Sequence, residues 1–158
     1  MSVKYITARK TYKCNKCGKE IQKGDKYYRG SRNFCKHDVI RCTNCGLKQY
    51  EMSTSEYTQT VGYLQDKWQE NYVSTDMVDD VISQLEDLRD SRQENLDNMP
   101  EHLRDSSSSG ELLQEQIDNL EEAISSLENI EIPEDNEDLD SEEWQDVIGQ
   151  IDDILSYL

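Results

Sequence analysis

The chain has 158 residues, 34% of them hydrophobic and 32% charged, with a formal net charge of -17. So low an apolar share excludes a large single core and favours elongated helices. No apolar run approaches the ~18 residues that a membrane-spanning helix needs, so no membrane role is expected.

Charge divides the chain in two. Residues 1–50 carry 13 Lys and Arg against three acids, net +10; residues 51–158 carry four basic residues against 31 acids, net -27. Two modules with different electrostatic tasks are implied. The basic one suits an anion such as nucleic acid. The acidic one is repelled by nucleic acid and suits a partner protein with a basic or nucleic-acid-binding surface, unless it serves only to keep the chain soluble.

The opening stretch, MSVKYITARK, has no apolar run, which predicts no secretory signal. Five cysteines without such a signal point to a reducing, cytoplasmic setting, where thiols hold metal rather than form disulfides.

Four of those cysteines form two identical pairs, Cys14-x-x-Cys17 and Cys42-x-x-Cys45, with 24 residues between them. This spacing predicts one structural zinc ion in a four-thiolate tetrahedron. Two intervening residues make a tight knuckle whose backbone N–H groups can reach the sulfurs. Gly18 and Gly46 follow the two pairs, and glycine supplies the positive φ such knuckles often require. Lys23-Gly24-Asp25 is a turn signal flanked by Ile21 and Tyr27, which predicts a short β-hairpin between the pairs. Cys35 and His37 offer a rival C-x-H ligand pattern, but two complete pairs already close a structural site. Four thiolates leave no open position for catalysis, and a redox reading of C-x-x-C lacks its βαβ context.

The stretch from Cys14 through Cys17, Gly18, Ile21, Gly24 and Tyr27 resembles the start of poly(ADP-ribose) polymerase-type fingers and of small fingers encoded by phages and plasmids. The likeness covers roughly residues 5–50. It implies a treble-clef-like finger whose second pair opens a helix, and a phage or mobile-element origin. Polymerase-type fingers use histidine as third ligand; Cys42 stands there, so the set becomes four cysteines and recognition of DNA breaks is not carried over. Residues 98–105 (NMPEHLRD) and 110–118 (GELLQEQID) also resemble small phage-encoded proteins.

Basic residues dot the module: Arg9, Lys10, Lys13, Lys16, Lys19, Lys26, Arg29, Arg32 and Arg41 are the candidate nucleic-acid contacts. Tyr12, Tyr27, Tyr28 and Phe34 lie among them, a mixture that suits phosphate contacts with base stacking. The same aromatics must also supply part of a very small core.

Beyond residue 52 the pattern turns helical. Ser53-x-x-Glu56 reads as a capping box, and Tyr57, Val61, Leu64, Trp68 and Tyr72 mark one face of a helix over about 54–72. A second helix starts at Ser74 or Thr75, with Val78, Val81, Leu85 and Leu88 facing inward, and ends near Pro100. Residues 105–110 read as a serine-rich turn. A third helix, about 111–130, carries Leu113, Ile117, Leu120, Ile124 and Leu127 in a heptad seam. That seam predicts either an antiparallel hairpin with the second helix or a coiled-coil homodimer. Residues 131–140 form an acidic linker, and a last amphipathic helix runs over 141–158. Its Trp144, Val147, Ile148, Ile151 and Leu155 either complete the bundle or dock into a partner protein.

The expected fold is therefore mainly α with a small zinc-bound β-hairpin module: a finger over 1–52, an acidic helical hairpin or bundle over 53–130, the linker and the last helix. No nucleophile–base pair stands out, and His37 and His102 fall in different modules, so no enzymatic activity is expected. Three roles compete: an adaptor or regulator on nucleic acid or its processing machinery, an acidic nucleic-acid mimic that inhibits a nuclease, polymerase or defence complex, and a structural or assembly protein.

Overall fold

A computed structural model describes residues 2–31, 38–70, 75–133 and 142–158, without the side chains of 68–70, 75, 142 and 143. Cys35, His37, Arg32, Phe34, Tyr72 and the Trp68 side chain, each given a role above, lie outside the described residues, as does the stretch 134–141. The chain forms two compact units, Met1–Gln59 and Thr60–Leu158. The division falls within the first helix, beyond the expected break at 52/53.

In the first unit, strands β1 (Ser2–Thr7), β4 (Lys26–Ser31) and β5 (Val39–Cys42) form one antiparallel sheet with β4 in the middle. Strands β2 (Tyr12–Lys13) and β3 (Glu20–Ile21) form a separate two-stranded ladder. The hairpin expected between Ile21 and Tyr27 is not made. The turn between them hands the chain from one ladder to the other instead. Gly24, at φ 101°, donates its N–H to the Ala8 carbonyl at 2.9 Å, and Ala8 donates to the Asp25 carbonyl at 2.8 Å. The Asp25 carboxylate accepts the Gln22 N–H at 2.8 Å and closes the turn. These bonds to Ala8 dock the turn beside β1, so β3 pairs back across the first knuckle while β4 pairs with β1.

The core of this unit is small: Ala8, Cys14, Ile21, Tyr27 and Cys42 are buried, with Ile6, Tyr12, Ile40 and Cys45 packed against them. Tyr27 stacks on Tyr12 at 5.1 Å between ring centres. Gly30 admits a second layer on the opposite face of the sheet. A Cβ there would sit 2.3 Å from the Met52 Sδ and 2.9 Å from a Leu47 methyl, so any larger residue would force those side-chain ends to move. Met52 itself is fully buried.

A 3-10 turn (Tyr50–Met52) precedes helix α1 (Glu56–Glu70). The expected capping box is displaced. Ser55, not Ser53, caps the helix, accepting the Thr58 N–H at 3.4 Å. Ser53 is buried and accepts the Ser55 N–H at 3.0 Å, which shapes the approach to the helix. Short serine side chains favour both motifs, and adjacent serines leave the choice to tertiary packing.

In the second unit, α2 (Thr75–Asp97) and α4 (Ser108–Glu128) pack along one another. They run antiparallel: Leu96 shares a cleft with Gly110 and Gln114, while Arg89 feels the charge of Glu121. Their connection holds a one-turn helix, α3 (Glu101–Arg104). Part of the expected serine turn is helical, because Ser107 caps α4 by accepting the Gly110 N–H at 3.1 Å. Gly110 is obligatory: a Cβ there would lie 2.2 Å from the Arg104 carbonyl oxygen.

The heptad seam is spent inside one chain. Ile117, Leu120, Ile124 and Leu127 are buried with Val78, Val81, Leu85 and Leu88, and Leu113 is half-buried. The coiled-coil homodimer expected as a rival would need these same side chains. Helix α5 (Glu142–Ser156) lies antiparallel along α4, as clefts lined by Asn119 with Tyr157 and by Asn129 with Gln150 require. Its Trp144, Val147, Ile151 and Leu155 are buried and Ile148 is half-buried. Of the two outcomes open for this stripe, packing within the unit is the one these side chains make. In α1, Gln65 donates to the Leu155 carbonyl at 2.7 Å, and Lys67 pairs with Asp80 at 3.5 Å. No helix among the described residues is long and apolar enough to cross a membrane.

Candidate metal centre

The two knuckles are built alike. Cys14 follows β2 and Cys17 precedes β3; Cys42 ends β5 and Cys45 lies in the turn beyond it. In the first, Gly18 returns its N–H to the Cys14 carbonyl at 3.0 Å; in the second, Gly46 returns its N–H to the Cys42 carbonyl at 3.2 Å. Both glycines are left-handed, at φ 75° and 61°, a conformation that costs other residues roughly 1–2 kcal/mol. The second pair therefore sits at a strand end, not at the helix start implied by the finger resemblance. The nearest helical residues begin at Tyr50.

One side chain joins the knuckles, and sequence reading missed it. Asn15 donates its backbone N–H to the Ile40 carbonyl at 2.8 Å, and its amide oxygen accepts the Ile40 N–H at 2.5 Å. The first knuckle is thereby stitched to β5 two residues before Cys42. An asparagine between two cysteines gives no local signal of such a long-range pair.

The four sulfurs lie within 4.8 Å of one another, and Cys17 Sγ is 3.7 Å from Cys42 Sγ. A tetrahedron with bonds of ~2.3 Å spaces its sulfurs about 3.8 Å apart, so the cage is close to metal-binding size as it stands. Cys14 and Cys42 are buried, Cys45 is half-buried and Cys17 is exposed. The ion would thus sit at the edge of the small core.

The cage is electrostatically prepared for a cation. Burial pushes the Cys14 thiol up, but N–H groups from Cys17, Cys42 and Lys16 outweigh it and bring the thiol down to about 6. The Cys42 N–H reaches the Cys14 sulfur at 3.4 Å. Burial also raises Cys42, yet hydrogen bonds from Cys45 and Cys17 leave it below its usual value. Cys45 is pushed up to about 12, chiefly by hydrogen bonding to the sulfurs of Cys17 and Cys42. A proton-poor sulfur beside proton-holding ones is what a thiol cage does before a divalent ion displaces the protons.

The candidate nucleic-acid contacts fall into separate groups. Arg9, Lys10, Lys13, Lys16 and Lys19 are exposed along the β1–β2 connection, β2 and the first knuckle, with the Lys10 ammonium 5.6 Å from the Tyr12 ring centre. Lys26 is exposed on β4 and Arg41 half-buried on β5. Arg29 is engaged with the Asp38 carboxylate, its Nε at 2.9 Å. Of the expected aromatics, Tyr12 and Tyr27 belong to the core, whereas Tyr28 faces the other way and meets Tyr5. Tyr5, which sequence reading passed over, is 54% exposed.

The chain matches no known family model, no curated protein and no solved structure. Function must be read from the site and the charge distribution.

Proposed function

We propose that Cys14, Cys17, Cys42 and Cys45 hold one structural zinc ion, and that the folded module touches nucleic acid while the acidic helices engage a protein. The chain would act as a non-enzymatic adaptor or regulator. One observation carries this reading: the charge division coincides with the two compact units. Residues 1–59 hold 13 basic and 5 acidic residues, net +8; residues 60–158 hold 4 basic and 29 acidic residues, net -25. Zinc is the ion that suits four thiolates in a closed tetrahedron. Such a site serves folding rather than turnover, because no coordination position stays open.

The test is a titration of the zinc-loaded chain with labelled single-stranded DNA, duplex DNA and RNA between about 50 and 200 mM salt. Affinity should fall steeply with salt for at least one of them. Salt-insensitive binding, or none to any of the three, would sink the reading.

A second reading is favoured by the helical body. Helix α2 carries eight acids and two arginines, and α4 carries six acids and no base. Side by side they hold net -12 along about 33 Å at 1.5 Å per residue, or roughly one charge per 2.8 Å. Duplex DNA carries one per ~1.7 Å. The pair therefore reaches more than half of duplex charge density, enough to compete for a basic groove. Pull-down with the full chain should then recover a nucleic-acid-binding protein that high salt releases.

A further inference from the structure

The three-stranded sheet has two faces. One meets the core through the cross-strand row Ile6, Tyr27 and Cys42. On the other, the register aligns Tyr5, Tyr28 and Arg41 in a second row. The Tyr5 and Tyr28 rings lie 4.8 Å apart between centres and are inclined at 42°. Lys26, two residues before Tyr28, places its ammonium 5.9 Å from the Tyr5 ring centre. The Arg41 Nε is buried without a hydrogen-bond partner among the described residues. At the Gly30 end, Met52 and Leu47 approach this face; beyond them Tyr5 and Lys26 are exposed, and Tyr28 and Arg41 are half-buried.

A cross-strand tyrosine pair can serve the sheet alone, at roughly 0.2–1 kcal/mol. That accounts for the ring contact. It does not account for two cations on the same side, in a unit of net +8. An exposed ring beside a half-buried one, with cations on the same face, supplies the elements from which single-strand sites are made, with bases stacking and phosphates paired.

We infer that this strip is a stacking platform for single-stranded nucleic acid, a deepening that rests on the nucleic-acid reading above. Unpaired bases stack on Tyr5 and Tyr28, while Lys26 and Arg41 take the adjoining phosphates. Duplex bases already stack on one another and present no free ring face, so duplexes reach only the electrostatic part of the site.

The experiment measures fluorescence anisotropy of labelled oligo-dT, oligo-rU and a duplex of equal length with the zinc-loaded full chain. The single strands should bind tighter than the duplex, and the dT and rU arms decide between DNA and RNA. Tyr5→Ala and Tyr28→Ala should each weaken single-strand binding on the order of tenfold, and Tyr28→Phe should keep it. Neither aromatic variant should change the salt slope, whereas Arg41→Ala should reduce it by about one phosphate. Metal content per chain, unchanged in Tyr5→Ala, separates lost stacking from lost folding. Duplex binding as tight as single-strand binding overturns the inference, as does indifference to both tyrosines, while the broader reading survives either. Absence of all nucleic-acid binding removes both.

Discussion

In the first unit, the cluster around the cysteines gathers five buried residues, two of them Cys14 and Cys42, about the Tyr27 ring, while Leu47, Met52 and Tyr57 are buried outside it. The second buries Val78, Val81, Leu85, Ile117, Leu120, Leu127, Ile151 and Leu155 almost completely. Full burial of a large apolar side chain is worth roughly 1.5–3 kcal/mol, while ordering each residue costs about 1–2 kcal/mol of backbone entropy. The helices meet that cost with many such side chains and with local hydrogen bonds. The cysteine unit has fewer of both, and the zinc ion proposed above would add ~10–16 kcal/mol, the apparent scale of zinc binding in small fingers. Same chain, same solvent: one half rests on helix burial, and the other carries the four-cysteine cluster on a smaller core.

The largest test of that contrast is removal of the metal. Cys14→Ser, or a strong chelator, should unfold residues 2–50 and leave most helical circular dichroism in place; collapse of the whole helical signal would break the comparison. Loading should also release fewer than four protons per zinc near pH 7, because Cys14 is already ionised above about pH 6. As pH falls through that value the metal must displace a proton there too, so affinity should weaken. Calorimetry in buffers of different ionisation heat counts the protons, and four released at neutral pH would contradict the prepared cage.

Next in size is Leu120→Ala, at a fully buried seam position. It should cost about 2–5 kcal/mol, lower the helical melting temperature and leave zinc stoichiometry unchanged. A smaller effect, about 1–3 kcal/mol from overpacking against Met52, is expected for Gly30→Ala, read from denaturant melts of the cysteine unit. The smallest is Asp38→Asn. Its pair with Arg29 is exposed, 46% and 32% on the two side chains, so the change should stay below about 1 kcal/mol in the same melts.

The four cysteines were legible because metal spacing is a short-range rule, and the helices because burial repeats every three to four residues. What escaped depends on distant partners. Lys23-Gly24-Asp25 announces a reversal, but only Ala8 decides which strand follows it into which ladder. β1 holds the β-formers Val3, Tyr5, Ile6 and Thr7, but only its pairing with β4 places it in the sheet. Ser53 and Ser55 compete for one helix start, and Asn15 earns its position from Ile40 across 25 residues. The α5 stripe had two outcomes that look identical in one dimension, since a core face and a docking face share a periodicity.

The stitch between Asn15 and Ile40 has a consequence for the order in which the module assembles. The first knuckle and its β2–β3 ladder close within ten residues, from Tyr12 to Ile21. Cys42 lies 25 positions beyond Cys17, and closing a loop of that length costs roughly 3 kcal/mol of chain entropy. An ion captured at synthesis would therefore rest first on two sulfurs of the emerging chain. It would wait there until β4 and β5 deliver the other two, with Asn15 as the latch that marks the chain's arrival.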